Sequence, residues 1–311
     1  MQKKLRANLL LLIAALIWGS TFVAQTAASD TVEPFTFLFA RSLLGVLFLI
    51  PVIAIFHWQS NKKLPKGEQP KTFLPSKLTV VAGILCGVAL TIASYFQQKG
   101  ITLMTDNASG KAGFLTALYI VFTPIFGVFL KRRIPKIIVL CVPIATLGLY
   151  LLCIKNGFTV EFGDILVLFS GFLFTFQILS IDYMMEKGAD PIQTSCMQFF
   201  VVCILSAVFA FIFESPDLSL LWDAKIEIMY AGFLSSGIAY TLQMIAQKDA
   251  DPTSASLLMS LESVFAVLAG WLVLGESLSG RELLGCLFVF IAVILAQVQF
   301  PPSKKKRTNK K

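Results

Sequence analysis

The sequence predicts an all-α membrane protein of ten transmembrane helices, built as two inverted five-helix repeats. Three observations carry that expectation. Of 311 residues, 56% are hydrophobic and only 14% charged, and a mean hydropathy of +0.78 lies far above that of a water-soluble domain. Apolar runs of membrane-spanning length recur ten times. Two of them, 110–133 and 255–273, align as copies: placing Leu118 on Leu261 also superposes Val121 on Val264, Phe122 on Phe265 and Gly127 on Gly270. Five runs per copy is an odd number, so two copies joined head to tail cross the membrane in opposite senses.

The first repeat, 1–155, takes the runs 9–28, 35–56, 78–97, 108–130 and 137–154; the second, 156–300, takes 165–184, 192–213, 226–246, 253–274 and 283–300, leaving a basic tail at 301–311. Short turns between most runs make neighbouring helices antiparallel. The first run follows Lys3, Lys4 and Arg6 and resembles a secretory signal, but it is longer than a signal core, and its removal would leave the first repeat one helix short of the second. Further matches keep their order. Glu33-Pro34 opens the second run as Asp190-Pro191 opens the seventh, and Gln98-Lys99 closes the third as Gln247-Lys248 closes the eighth. Pro124 and Pro143 fall inside the fourth and fifth runs, where a missing backbone donor bends a helix. Small residues at Gly83, Gly87, Gly232, Ser235, Ser236 and Gly270 let helices approach closely.

Lys and Arg set the orientation. With the N-terminus cytoplasmic, 20 of the 26 lie in cytoplasmic segments, among them Lys62, Lys63, Lys66, Lys71, Lys131, Arg132, Arg133, Lys187, Lys248 and the tail. Both termini are then cytoplasmic, in a multi-pass protein of the cell membrane. The net charge of +8 is a topology signal, with anionic lipid as a second reading for the basic loop near His57 and the tail. It points to no nucleic-acid partner. The six cysteines form no Cys-x-x-Cys pair and read as buried small hydrophobes. The single His57, beside Trp58 at the end of a run, leaves no material for a histidine metal cluster or a Ser-His-Asp triad.

These residues carry a family likeness. The chain resembles EamA-type transporters of the drug/metabolite transporter superfamily. The resemblance rests on Ala15-Leu16-Ile17-Trp18-Gly19-Ser20-Thr21-Phe22, Ala40-Arg41, Gly110-Lys111-Ala112-Gly113-Phe114-Leu115-Thr116, Leu261-Glu262-Ser263-Val264-Phe265 and Gly275-Glu276. It implies two five-helix repeats and the movement of small metabolites, amino acids or drugs across the inner membrane, often outward. Ser263 departs from the proline the family often carries after the glutamate, so the helix geometry there is open.

The sharpest single residue is Glu262, about nine residues in from Thr253 and so ~13 Å deep. A carboxylate near the bilayer centre costs about 2.5–3.5 kcal/mol even on insertion scales. It is expected to face a polar cavity or a partner, either coupling to a proton or substrate ammonium or tying two helices together. Tyr119 holds the equivalent position in the first repeat. Trp18, Thr21, Gln177 and Tyr240 complete the polar and aromatic residues near the midplane, a lining suited to a small, partly apolar solute. Lys111 lies ~28 Å along its helix from Leu130, near the outer face, where it either snorkels or receives an anionic group together with Arg41.

The expected function is a secondary transporter, an exporter, of a small organic metabolite, amino acid or drug, working by alternating access and driven by protons or exchange. No Gly-x-x-x-x-Gly-Lys-Ser/Thr motif supplies nucleotide drive, and no catalytic residue, cofactor or metal is expected. An organophosphate or nucleotide-sugar exchanger is the alternative, although it wants a pair of deep cations. An enzyme of lipid phosphates is more distant, lacking clustered acids and histidines. Membrane lipid is an expected partner, and the sequence allows a homodimer.

Overall fold

The structure, a computed structural model, describes residues 2–62, 72–105, 108–130, 136–153, 160–274 and 279–298. The basic tail, the Gly275-Glu276 pair and the cations Lys63, Lys66, Lys71, Lys131, Arg132 and Arg133 lie outside the described residues. All regular structure among the described residues is helical: α1 Gln2–Ser29, α2 Pro34–Lys62, α3 Lys77–Thr102, α4 Ala108–Ala117, α5 Tyr119–Phe129, α6 Lys136–Cys153, α7 Phe162–Glu186, α8 Pro191–Phe213, α9 Leu218–Asp223, α10 Lys225–Tyr230, a π-helical stretch Ala231–Ala239, α11 Tyr240–Gln247, α12 Pro252–Met259, α13 Leu261–Leu274 and α14 Gly280–Val298. Eight helical segments among these residues are long and apolar enough to cross a membrane, and Lys136–Leu152 is a shorter apolar one. Helices fall at every one of the ten apolar runs.

Local chemistry fixes their ends. Asp190 and Asp251 each accept a backbone N–H three residues on, from Gln193 and Ser254 at 2.9 Å, with proline at the first helical position. Gly188, at φ +96°, ends α7. There Gly188 and Ala189 donate to the carbonyls of Met185 and Met184 at 3.1 Å, which turns the chain tightly into α8. The N-terminus of α2 is capped from another helix: Glu214, just past α8, accepts from the Phe35 and Thr36 amides at 2.8 Å.

The packing inverts that of a water-soluble protein. Leu47, Phe211 and Leu272 point outward, whereas Gln25, Gln97, Gln177, Gln198, Gln243 and Glu262 are buried, as expected when the surroundings are hydrocarbon. Cations sit on aromatic rings at helix ends, Lys62 on Trp58 at 5.0 Å, Lys187 on Tyr183 at 4.2 Å and Lys225 on Trp222 at 5.1 Å, in the manner of interfacial anchors.

The main helix pairs are α1 with α13, α3 with α7, α2 and α3 with α8, the π-helical stretch with α2, and α6 with α14. Small residues permit the closest approaches. A Cβ added at Gly87 would lie 2.7 Å from the Val201 Cβ, and one at Gly232 would lie 2.7 Å from the Leu44 Cβ. On α6 and α14 the contact is reciprocal, since a Cβ at Gly148 would meet the Gly285 carbonyl oxygen at 2.8 Å and one at Gly285 would meet that of Gly148 at 2.6 Å.

Candidate functional site

The helices surround a cavity midway along the bundle. Into it project Trp18, Thr21, Phe22 and Gln25 of α1, Arg41 of α2, Gln97 of α3, Thr116 and Tyr119 of α4 and α5, Phe174 and Gln177 of α7, Ser235 of the π-helical stretch, Tyr240 and Gln243 of α11, and Met259 and Glu262 of α12 and α13. Measured at a water-sized radius its volume is about 40 Å³, enough for a few water molecules at most. A solute of metabolite size does not fit in that volume.

Both helices that carry the central acid and its partner are interrupted beside them. The fourth apolar run breaks at Leu118, where Leu118 and Val121 make short-turn hydrogen bonds to Leu115 and Leu118, the Leu118 carbonyl also accepting the regularly spaced Phe122 amide at 3.4 Å. The ninth breaks at Ser260, with Ser263 donating to the Ser260 carbonyl. Tyr119 and Glu262 follow these breaks by one and two residues, and Tyr119 Oη donates to Glu262 Oε1 at 2.9 Å. Ser263, in place of a proline, donates its hydroxyl to the Gly113 carbonyl at 2.7 Å, which ties α13 to α4. The π-helical turn lies against the same cavity through Ser235 and ends at Tyr240. Irregular turns of these kinds are frequent at functional sites.

Amides line two sides. Gln25 donates to Gln97 at 3.5 Å and Gln97 to Thr116 at 3.0 Å; across the cavity Gln243 donates to Gln177 at 3.5 Å and Gln177 to Gln198 at 3.2 Å. Trp18 packs edge-on to Tyr240 with centroids 4.8 Å apart. Arg41 reaches Ser94 at 3.4 Å. Several buried polar atoms in these walls have no hydrogen-bond partner among the described residues: Trp18 Nε1, Arg41 Nε and Gln243 Oε1. Arg41 and Glu262 are both about 4% exposed, and neither makes an ion pair among the described residues.

Seven of the eight residues singled out in the sequence, Glu262, Tyr119, Gln177, Trp18, Thr21, Tyr240 and Arg41, meet in this cavity. Thr21 spends its hydroxyl hydrogen on the Ile17 carbonyl at 2.6 Å, leaving only acceptor capacity. Lys111 lies elsewhere. Its ammonium sits 3.1 Å from Glu161 and 3.0 Å from Asp164, fastening the start of α4 to that of α7. Glu161 also accepts from the Thr105 amide at 3.0 Å; that N–H first, and the Lys111 ammonium second, hold its carboxyl below the usual carboxylate range. Sequence reasoning passed over Gln25, Gln97 and Gln243. Their signal was an uncharged amide inside an apolar run, weaker than a charge. Among the described residues no group of three His, Cys, Asp or Glu side chains lies close enough to hold a metal ion.

Comparison with known proteins agrees in kind. The model of the EamA-like transporter family matches residues 5–154 and again 161–297. An uncharacterized transporter of Archaeoglobus fulgidus is 29% identical over 303 residues, covering 96% of this chain and 87% of its own length. The uncharacterized transporter YoaV of Bacillus subtilis is 23% identical over 297 residues, covering 93% and 96%. A protein of known crystal structure superposes with a TM-score of 0.73 at 18% identity, over 93% of this chain and 96% of that one, a likeness of fold alone.

Proposed function

The chain belongs to the EamA-like transporter family, and from that premise we propose that it is a secondary transporter that moves a small solute bearing both a positive and a negative group, of the amino-acid kind, across the cytoplasmic membrane by alternating access. It is a multi-pass membrane protein; the proposal adds ten spans in two inverted repeats, cytoplasmic termini and outward transport driven by a proton gradient or by exchange. Three findings support the repeat: the family model matches each half, the irregular turns at Leu118 and Ser260 fall within one residue of corresponding places, and α6 meets α14 through a reciprocal glycine contact.

The observation that carries the substrate reading is a cationic side chain, Arg41, and an acid, Glu262, both buried in one cavity, with no ion pair to either among the described residues. Taking a charge out of water costs several kcal/mol unless something compensates it. A solute carboxylate at Arg41 and Trp18 Nε1, and an ammonium at Glu262, would supply that compensation, with Trp18, Phe22, Phe174 and Tyr240 enclosing an apolar body. Against an organophosphate exchanger stands Arg41 as the one cation among the described residues that line the cavity, which the acid Glu262 lines as well. The Lys111 contacts with Glu161 and Asp164 hold the outer ends of two cavity-lining helices together, a tie that must loosen for opening on that side.

The test is transport in proteoliposomes, with labelled amino acids as probes and an imposed pH gradient. Glu262→Gln is expected to lower flux at least tenfold and remove its response to the gradient, and Arg41→Gln to raise the half-saturating concentration at least tenfold. Flux unchanged in both variants would exclude this reading.

A further inference from the structure

A second concavity lies at the helix ends that carry the N-terminus, and it shares no lining residue with the central cavity. Its walls are Lys3, Arg6, Ala7 and Leu10 of α1, Ile245 of α11, Lys248 and Asp249 just beyond it, and Pro191 at the start of α8. Measured at a water-sized radius its volume is about 310 Å³, several times that of the central cavity.

The two main walls are single helical stripes. On α1 the spacing 3, 6, 7, 10 keeps one face, and from 245 to 248 and 249 the chain again stays on one side. Both stripes change character with depth in the same direction. Leu10, Ala7 and Ile245 lie on the bundle side, and Arg6, Lys3 and Lys248 lie toward the helix ends. Three cations face one carboxylate, and none of the three makes an ion pair among the described residues. A pocket basic at its rim and apolar below matches a molecule that is anionic at one end and hydrocarbon at the other.

From this gradient and these unpaired cations we propose a binding site for the head group of an anionic phospholipid, its phosphate held by Lys3, Arg6 and Lys248 and the start of its acyl chains lying on Leu10 and Ile245. The apolar floor selects a lipid over free phosphate, which has nothing to place there. Such a lipid would tie the first helix to the end of α11. The site depends on the chain lying in a bilayer and not on the transport reading.

The experiment uses the purified full chain with phosphatidylglycerol, phosphatidylcholine or inorganic phosphate, reading retained lipid by native mass spectrometry and the unfolding midpoint in nanodiscs. Phosphatidylglycerol is expected to be retained and to raise the midpoint, with phosphatidylcholine and phosphate doing neither. Each of Lys3→Gln, Arg6→Gln and Lys248→Gln should weaken retention about fivefold, the effect of one surface cation on anionic lipid. A variant carrying Lys62→Gln, Lys77→Gln and Lys187→Gln loses three charges elsewhere and should retain lipid as the unaltered chain does. Equal loss in that control, stabilisation by phosphate alone, or retention unaffected by the three single changes would each overturn the proposal. Single variants that unfold in phosphatidylcholine but recover in phosphatidylglycerol would overturn it too, since the lipid would then act without the cation removed.

Discussion

At the scale of residues, the centre of the molecule is one hydrogen bond, from Tyr119 to Glu262 at 2.9 Å between two side chains that are each about 4% exposed. The phenol offers its proton to a carboxylate that hydrocarbon would otherwise surround, so the pair is worth most while the acid is charged. Tyr119→Phe is therefore expected to lower stability by about 1 kcal/mol, the usual size of an interhelical polar contact in a membrane, measured by unfolding in nanodiscs. In a Glu262→Gln background the same change should cost less, because the neutral amide accepts a weaker bond; an equal cost in both backgrounds would mean that the two side chains do not interact. Glu262 was legible in the sequence because a charge deep in an apolar run is expensive enough to need a reason. Gln97 and Gln243 were not, since an amide is cheap enough to pass for the polar end of a span, and only packing shows which neighbour it meets.

At the scale of elements, interruptions matter more than lengths. The run lengths and the caps at Asp190 and Asp251 were readable, but Pro124 and Pro143, the marked sites of bending, lie inside the continuous helices α5 and α6, and the breaks fall at Leu118 and Ser260. Neither residue is a helix breaker by itself. Beside them α4 and α13 pack closely, with Ser263 bonded to Gly113 and Gly19 of α1 lying against the backbone of α13. A Cβ at Gly19 would sit 2.5 Å from the Glu262 carbonyl oxygen, and backbone cannot swing aside. Gly19→Ala is expected to cost about 1–3 kcal/mol of stability, the range for overpacking, and to reduce transport by displacing Glu262; a variant as stable and active as the unaltered chain would show that the two helices are not held this closely. The contact between Lys111 and Glu161 yields a pH dependence. Because Glu161 has its folded-state value below the unfolded one of about 4.3, its contribution is complete above that value and is lost as pH falls through the lower folded value. The unfolding midpoint should drop more steeply below pH 4.3 for the unaltered chain than for Glu161→Gln, the two curves converging at the acid end. Parallel curves would rule out Glu161 as the titrating group.

At the scale of the whole molecule, the inverted repeat is a claim about direction. The aligned segments around Leu118 and Leu261 are what suggest it in the sequence, whereas the pairing of α6 with α14 needed three dimensions, since nothing in either helix names its partner. If an odd number of spans separates corresponding loops, the chain following α2 and the chain following α8 must face opposite sides of the membrane although they occupy the same place in their repeats. Gln59, in the last turn of α2, and Ser215, just past α8, are both exposed and mark those two ends. In a background lacking the six native cysteines, Ser215→Cys is expected to react with a membrane-impermeant thiol reagent added outside intact cells, and Gln59→Cys only after the membrane is opened. Asp223→Cys should follow the first and Asp249→Cys the second. Labelling of Gln59→Cys and Ser215→Cys from the same side would make the halves parallel copies. Glu262 and Tyr119 would then no longer be related by an axis in the membrane plane, and a site opening alternately to the two faces by a symmetric exchange of the two halves would lose its structural basis.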